Sequence, residues 1–519
     1  MRENGPHQRR RQEPAKPEGI PAEEALHLLA AGALVREHPV GDVHPEHAST
    51  GQDGRGEREQ LGRRPLAQVI GILGDRHEAI GRRHDERASR RRFGDTGGYY
   101  VPTIRWIIEH RLIVGLANLY APLAYNQTYF LYAALLDVGP FAGQAHHLLN
   151  STLIAALAAR TLLGLWRVLR PRGTPWAADL FYALMLPAEV EAAVGYLFTS
   201  PAPDFGVYAL GIALCGELVA VLAGPSRELR LHFLALALLC AVAPTVKLTL
   251  FGLAAAAMVI GTVVWIRRAG PTWRTTLGSL TLAAGVGALT IGPWIAGNVL
   301  LSGRPFFPSA IGALPVSWRV DWDVQRAIQE SIILGNWHLL LRDPHWVEQR
   351  FIALGWTAPG VVVPLGIALV AIVLSGLTAV ARLFRTRRDG VRLTAAALVA
   401  PLASLAFCIK TTPMPRYAGA TMWLLAGLSV LVMLHGRLLG PLARRAAALG
   451  AVALVALPFA TGAPRWLHYC YSDFPRLPRA VVEPQQLASG LQIYVPNADN
   501  PSCWDAPLPC TPYPHLGLR

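Results

Sequence analysis

The chain has 519 residues, of which 52% are hydrophobic and 16% charged, and its mean hydropathy is +0.32. Soluble domains carry about 25% charged residues, so these values exclude a disordered chain, a coiled coil and a small secreted domain. They indicate a protein that lies largely in lipid. The net charge of +14 would suggest nucleic-acid binding on a soluble fold, which this composition does not indicate. Only Lys16, Lys247 and Lys410 of the 48 basic residues are lysines, and the others are arginines. That skew is typical of a GC-rich bacterial genome.

Residues 1–94 differ in composition from the rest of the chain, because they are rich in charge and histidine. Their longest apolar stretches, 25–35 and 65–74, are shorter than the roughly 20 residues that span a hydrocarbon core. Glu23 and Glu24, rather than basic residues, precede the first stretch, which is unlike a signal peptide. We therefore predict that residues 1–94 are disordered or are not the natural start of the protein.

From residue 146 onward the sequence predicts an all-α, polytopic membrane domain of about ten helices. The expected helices are 146–166, 176–198, 205–224, 231–246, 248–266, 275–296, 357–381, 393–409, 417–435 and 446–464, where the two beside Lys247 could instead be one broken pair. Arginines recur in alternate connections, and the positive-inside rule makes those connections cytoplasmic. The segments expected to face outward are 95–145, 199–204, 245–247, 297–356, 410–416 and the tail 465–519.

This topology requires a further membrane helix before residue 95, and the sequence lacks one. Without it, an arginine-rich segment of some 94 residues would have to cross the membrane with no signal. The predicted organisation is therefore a charged segment 1–94, a first outward loop 95–145, a membrane domain 146–464 that includes the outward loop 297–356, and an outward tail 465–519. Ile104, Ile107 and Ile108 are spaced for an amphipathic helix, so the first loop is expected to hold interfacial helices.

Several stretches in fixed order resemble an uncharacterised bacterial multipass branch of the GT-C glycosyltransferases, which use polyprenyl-phosphate sugars. They are GDTGGYYVPTIRWI at 94–107, GLANLYAPLAYNQTYFLYAAL at 115–135, HHLLN at 146–150, SPAPD at 200–204, TVK at 245–247, GPWIAGNVLLSGRPFFP at 292–308, PMPRY at 413–417 and GLQIYVPNADNPSCWDAPLPCTPY at 490–513. The resemblance covers roughly residues 94–519 and implies a GT-C-like fold.

The resemblance also implies an activity. The protein would transfer a hexosyl or pentosyl sugar from a polyprenyl-phosphate carrier to an envelope glycan or lipid, at the outer side of the bacterial inner membrane. Its partners would be the lipid-linked sugar, the acceptor and membrane lipid. No defined cofactor is predicted, although paired carboxylates leave room for a divalent metal ion. Two alternatives stay open: a flippase or transporter of lipid-linked sugars, and a noncatalytic subunit of an envelope-polymer pathway.

Two aspartates are candidate catalytic residues. An acceptor hydroxyl needs a carboxylate to take its proton, and the residue of the first outward loop that matches the resemblance is Asp95. Asp-Thr-Gly-Gly is also good turn chemistry, so Asp95 could simply be a turn residue. Asp204 follows Ser-Pro-Ala-Pro and is expected to cap the next helix. Its alternative is a role in binding the acceptor or a metal.

Four basic residues are candidates for binding the donor phosphate. Lys247 stands alone in a long uncharged stretch, and Arg416 follows a Pro-x-Pro turn, so both are expected at the outer membrane boundary. Their alternative is snorkelling to lipid phosphates. Arg304 and Arg319 are weaker candidates, because arginine and tryptophan in that loop could form an ordinary interfacial belt.

The cysteines fall into two groups. Cys215, Cys240 and Cys408 lie in apolar helices and are expected in the core. Cys470, Cys503 and Cys510 lie in the outward tail, and no second Cys or His pair has metal-binding spacing near Cys503 and Cys510. A disulfide between Cys503 and Cys510 is therefore predicted rather than a zinc site.

Overall fold

The structure is a computed structural model. It describes residues 95–143, 145–170, 176–195, 198, 200–269, 272–332, 357–381, 395–411, 414–435, 441–456, 479–487, 489–497 and 502–512. The predicted disordered segment 1–94 lies outside these residues, as do Cys470 and residues 333–356 of the predicted outward loop 297–356.

The described chain is mostly helical, with one small sheet near its end. The helices are α1 Val101–Glu109, α2 Thr128–Leu136, α3 Ala145–Leu169, α4 Ala177–Val194, α5 Pro203–Ala223, α6 Leu229–Val246, α7 Phe251–Ala269, α8 Trp273–Ser302, α9 Trp322–Ile332, α10 Pro359–Ala381, α11 Val399–Thr411, α12 Thr421–His435 and α13 Pro441–Leu454. Strands β1 Val482–Gln486 and β2 Gln492–Pro496 pair antiparallel. A short π-helical turn, Thr96–Tyr100, leads directly into α1.

Six helical segments of the described chain are long and apolar enough to cross a membrane. They are Leu148–Leu169, Pro203–Ala223, Ser226–Val246, Leu248–Arg268, Trp273–Ser302 and Pro359–Leu377. These segments correspond to α3, α5, α6, α7, α8 and α10. The chain therefore has the composition and helix lengths of a multipass membrane protein.

The other four predicted spans contain helices that do not reach this standard. Within the described residues α11, α12 and α13 have 13, 15 and 14 residues, whereas a perpendicular crossing needs about 20. Helix α4 has 18 residues and carries Asp179, Glu189 and Glu191 in its interior. A count of ten spans is thus not confirmed. The helices on either side of Lys247 are separate spans rather than one broken pair.

Helix α5 lies at the centre of the bundle, since 83% of its apolar window is buried, whereas the corresponding value for α8 is 11%. It packs against α4, α6 and α7. Its interior contacts include Ile212, Leu214 and Leu218, each fully buried. Within a membrane such burial stabilises through close van der Waals packing rather than through removal of apolar surface from water. A residue in the first turn of α5 is therefore held in a rigid position.

The end of the bundle where α5 begins, α6 ends and α12 begins is called the loop end below. Helices α1 and α2 pack against each other there, and α2 packs against α3. A separate apolar cluster joins the first loop, the segment after α8 and the tail hairpin, through residues such as Trp106, Leu301, Phe307 and Ile493. The tail hairpin is thus part of the same folded unit as the first loop.

The opposite end of the bundle holds paired arginines. Arg268 donates to the carbonyls of Val221 and Gly224, both at 2.7 Å, and so satisfies the last carbonyls of α5. Arg160 and Arg167 both contact the buried carboxylate of Asp179, at 3.1 and 3.2 Å. Arginines therefore have structural partners at this end.

Candidate functional site

A buried ion pair joins two helices at the loop end. Lys247 lies in the break between α6 and α7, with extended backbone that interrupts the helix. Its Nζ is 2.6 Å from Oδ1 of Asp204, in the first turn of α5. The two side chains are 13% and 5% exposed. The charge-assisted hydrogen bond fixes the ammonium group where α6 turns into α7.

This pair changes the role expected for Asp204. The N-cap residue of α5 is Ala202, which has no capping side chain, and Pro203 occupies the first helical position. Proline there leaves one fewer free amide to satisfy. The hydrogen bond that the structure shows at the Asp204 carboxylate comes from Lys247 rather than from the helix amides. The predicted capping role is thus replaced by the anchoring of a lysine.

A second, looser pair lies beside the first. Arg416 is in the short 3-10 turn Pro415–Ala418 between α11 and α12, and its Nη2 is 3.9 Å from Oδ2 of Asp95. Here the side chains are 40% exposed for Arg416 and 51% for Asp95. An exposed pair at this distance contributes little to stability. Both groups are therefore available to a ligand.

Tyr417 connects the two pairs. Its ring lies 4.2 Å from Lys247 Nζ and 4.6 Å from Arg416 Cζ, so both cations contact the same aromatic ring. Arg416 Nη2 also donates to the Tyr417 hydroxyl at 2.6 Å. Cation–π contacts of this kind are worth about 0.5 to 2 kcal/mol each. They hold two positive charges near one another at the mouth of the site.

The electrostatics of Arg416 follow from these neighbours. Burial alone would lower the pKa of its guanidinium, but the Tyr417 oxygen and the two carboxylates outweigh burial and raise that pKa. The guanidinium therefore carries its positive charge at every physiological pH. A permanent cation is the group that an anionic ligand requires.

Three tyrosines lie close enough to Asp95 to be affected by its charge. Burial raises the pKa of Tyr99, Tyr100 and Tyr125, and the nearby charge of Asp95 raises each of them further. The ring of Tyr99 meets that of Tyr125 edge to face, with centroids 5.9 Å apart. The phenols therefore stay neutral at physiological pH. These three phenols therefore add no charge to the site.

Buried hydrogen bonds position the two aspartates relative to each other. Thr96, which follows Asp95, bonds through Oγ1 to Oγ of Ser200 at 2.7 Å. Asn150 of α3 donates to the carbonyls of Phe198 and Ser200, at 2.7 and 2.8 Å. The segment that leads into Asp204 is therefore tied to the first loop on one side and to α3 on the other.

The structure thus brings together four of the predicted charged residues: Asp95, Asp204, Lys247 and Arg416. It does not bring Arg304 or Arg319 to them, since no ion pair, hydrogen bond or ring contact in the described chain joins either arginine to the cluster. Arg304 is fully buried and donates to the Val320 carbonyl at 3.0 Å. Its guanidinium lies 4.3 Å from the Trp322 ring, and burial lowers its pKa.

Arg319 also bonds within its own loop. Its Nη1 lies 3.4 Å from the Leu314 carbonyl, and its guanidinium is 6.0 Å from the Trp322 ring. Neither Arg304 nor Arg319 is therefore supported as a phosphate ligand of the cluster.

The remaining predicted residues are Cys503 and Cys510, which form a disulfide in the structure. Cys215, Cys240 and Cys408 are buried in the structure, as predicted. Among the described residues no group of three or more His, Cys, Asp or Glu side chains is placed to hold a metal ion.

Tyr417 is the central residue that the sequence reasoning did not assign, although it lies in the Pro-Met-Pro-Arg-Tyr motif that drew attention to Arg416. An aromatic residue directly after a candidate phosphate cation is a usable signal, because a ring can hold a guanidinium in place. Tyr99 and Tyr125 likewise lie in stretches that carried the resemblance but received no role.

Comparison with known proteins identifies a family whose model carries no functional description. Neither a curated protein nor a solved structure matches the chain. A family model described as a domain of unknown function, DUF8201, matches residues 88–423. The matched region contains all four residues of the cluster and excludes the disulfide of the tail. Because the match spans well over half of its length, the chain belongs to the DUF8201 family.

Proposed function

We propose that the protein transfers a sugar from a polyprenyl-phosphate carrier to a hydroxyl of an envelope glycan or lipid, at the outer face of the bacterial inner membrane. The observation that carries the proposal is the convergence of two carboxylates and two cations from four distant segments at one end of an apolar bundle. A lipid-anchored phosphate and a polar acceptor can meet at such a boundary.

The reaction assigns different work to each group. The acceptor oxygen bonds to the anomeric carbon of the sugar while its proton passes to the Asp95 carboxylate. The bond between that carbon and the phosphate oxygen breaks, and its electron pair stays on the leaving polyprenyl phosphate. Arg416 stabilises the charge that gathers there, while Lys247, which Asp204 holds on the same Tyr417 ring, adds its positive charge nearby. Positioned charges of this kind commonly supply the largest share of catalysis.

Exposure distinguishes the two aspartates. The Asp95 side chain is 51% exposed and its pair with Arg416 is long, whereas the Asp204 side chain is 5% exposed and bonded to Lys247 at 2.6 Å. A general base must reach the proton that it removes. Asp95 is therefore the proposed base, and Asp204 is the residue that anchors Lys247.

The proposed side of the membrane rests on the arginines. Arg160, Arg167 and Arg268 lie at the end of the bundle opposite the cluster. Positively charged connections stay in the cytoplasm. The cluster then faces outward, where polyprenyl-phosphate donors are consumed in the proposed reaction.

The test uses cells that lack the gene and carry it back as a variant. The Asp95→Asn variant should fail to restore the envelope glycan, with a loss of about 10² to 10⁴ in rate, at unchanged protein abundance. The matched control is Asp323→Asn, which removes an exposed carboxylate of α9 outside the cluster. Glycan composition by mass spectrometry is the readout. Full restoration by Asp95→Asn would refute the catalytic assignment and favour a noncatalytic subunit.

A transporter of the same lipid-linked sugar is the second candidate. The buried polar contacts of Glu189 with Thr161 and of Glu191 with Trp423 Nε1 favour it, because carboxylates within a bundle commonly mark transport pathways. The transporter hypothesis predicts that deletion of the gene makes a lipid-linked sugar accumulate on the inner leaflet. It also predicts that the Asp95→Asn variant still prevents this accumulation.

A further inference from the structure

The C-terminal disulfide loop, residues 502–512, sits directly on the turn that carries Asp95. The backbone amides of Cys503 and Trp504 both donate to the carbonyl of Gly97, at 2.9 and 3.1 Å. Arg105 of α1 donates through Nη1 to the Ala506 carbonyl at 2.5 Å. Three hydrogen bonds therefore join the tail to a stretch of ten residues that starts immediately after Asp95.

Close packing accompanies these bonds. The indole of Trp504 occupies the space in front of Gly97, where a Cβ would lie 2.3 Å from its Cε2 atom. Only glycine allows that approach. At the next residue, Gly98, a Cβ would have no atom within 4 Å. Two neighbouring glycines thus differ in whether the tail requires them.

The turn is held from its other side as well. The Thr96 hydroxyl bonds to the hydroxyl of Ser200, in the segment that leads to Asp204. The turn is therefore held at Thr96 by this segment and at Gly97 by the tail. The Asp95 carboxylate itself is half exposed, and among the described residues it has one ion-pair contact, at 3.9 Å to Arg416. Its position therefore depends on the backbone of the turn.

We propose that the Cys503–Cys510 loop is a clamp that fixes the turn before α1, and that Trp504 is a positioning residue for Asp95. The inference deepens the proposed function, because it assigns the tail, which lies beyond the DUF8201 match, a part in the work of that site. The disulfide closes the loop on itself and keeps the indole on Gly97.

The test compares Gly97→Ala with Gly98→Ala in the full chain, purified in lipid nanodiscs. Hydrogen exchange is followed in peptides that cover 96–105 and 502–510. Gly97→Ala should raise exchange in both peptides by tenfold or more, because its methyl group displaces the indole. Gly98→Ala should exchange like the wild type. Trp504→Ala removes the indole without adding an atom and should raise exchange in the same two peptides. It therefore tests the clamp even where Gly97→Ala folds poorly.

Activity then tests positioning. Trp504→Ala should lower kcat tenfold or more and leave the KM for the donor within twofold, and it should cause no further loss in an Asp95→Asn background. Unchanged exchange in both Gly97→Ala and Trp504→Ala would overturn the clamp whatever the activity. Raised exchange with unchanged kcat, while Asp95→Asn is inactive, would overturn positioning and leave the proposed function standing. Full activity of Asp95→Asn would overturn the proposed function and the positioning role together, while exchange would still report the docking of the tail.

Discussion

Removing Asp204 should destabilise the fold more than it alters chemistry. In Asp204→Asn the Lys247 ammonium, which is 13% exposed, loses the negative charge of the carboxylate whose oxygen lies 2.6 Å away. Removing one partner of a buried ion pair typically costs about 3 to 5 kcal/mol. Lys247 keeps its contact with the Tyr417 ring, so we expect the lower end of that range, about 3 kcal/mol.

Replacing both partners should cost much less. In Asp204→Leu combined with Lys247→Met no charge or polar group of the pair is left without a partner, and the two apolar side chains are close in size to those they replace. Buried pairs replaced in this way often leave stability nearly unchanged. The double variant should therefore lie within about 1 kcal/mol of the wild type.

The assay is equilibrium unfolding in mixed detergent micelles, followed by circular dichroism. Asp323→Asn is the control for loss of a carboxylate, and it should change stability by no more than about 0.5 kcal/mol because the residue is exposed. The reasoning is wrong if Asp204→Asn is as stable as the control, or if the double variant is no more stable than Asp204→Asn alone.

Two further predictions concern aromatic and arginine contacts. Tyr417→Leu should weaken donor binding by about two- to fivefold through loss of ring contacts with both cations, whereas Tyr417→Phe should keep most of the affinity. Titration with a polyprenyl-phosphate sugar measures both affinities. Equal affinities for the two variants would contradict the role of the ring. Arg304→Met should leave donor binding unchanged and change the unfolding free energy by no more than about 1 kcal/mol, since Nε and Nη1 of Arg304 have no hydrogen-bond partner in the structure; a large drop in donor affinity would return Arg304 to the site.

The sequence predicted the charged cluster better than it predicted the loop arginines, and the local backbone explains why. Lys247 and Arg416 were found because an isolated charge beside a proline marks a helix break, and breaks at one end of a bundle lie close together. For Arg304 the deciding feature is Gly303, whose φ of +73° turns the chain after α8. Arg304 then folds beneath its own loop, where its guanidinium meets Val320.

The number of membrane-spanning helices is the other prediction that the structure supports only in part. Each of the ten predicted segments overlaps a described helix, but only six helical segments of the described chain are long and apolar enough to cross a membrane, so the count of ten is not confirmed. Helix α4 shows the cause: Asp179 bonds two arginines and Glu191 bonds Trp423, so these two carboxylates have partners inside the protein. Residues in such a helix face other helices rather than lipid. Partners of this kind become visible only when distant segments are placed side by side.

The charge balance of the cluster indicates which cation binds the donor. Two carboxylates and two cations sum to zero, so a phosphate diester must find a cation that is not already committed. Asp204 holds Lys247 at 2.6 Å, whereas Asp95 is 3.9 Å from the more exposed Arg416. Proton transfer to Asp95 would also release Arg416 from its carboxylate as the leaving phosphate gains charge. We therefore expect Arg416→Gln to raise the donor KM and lower kcat, each by about tenfold or more, while Lys247→Gln mainly lowers stability because Asp204 is left unpaired. Steady-state kinetics at equal amounts of folded protein would decide, and a larger kinetic loss in Lys247→Gln would show that the buried pair opens to receive the phosphate.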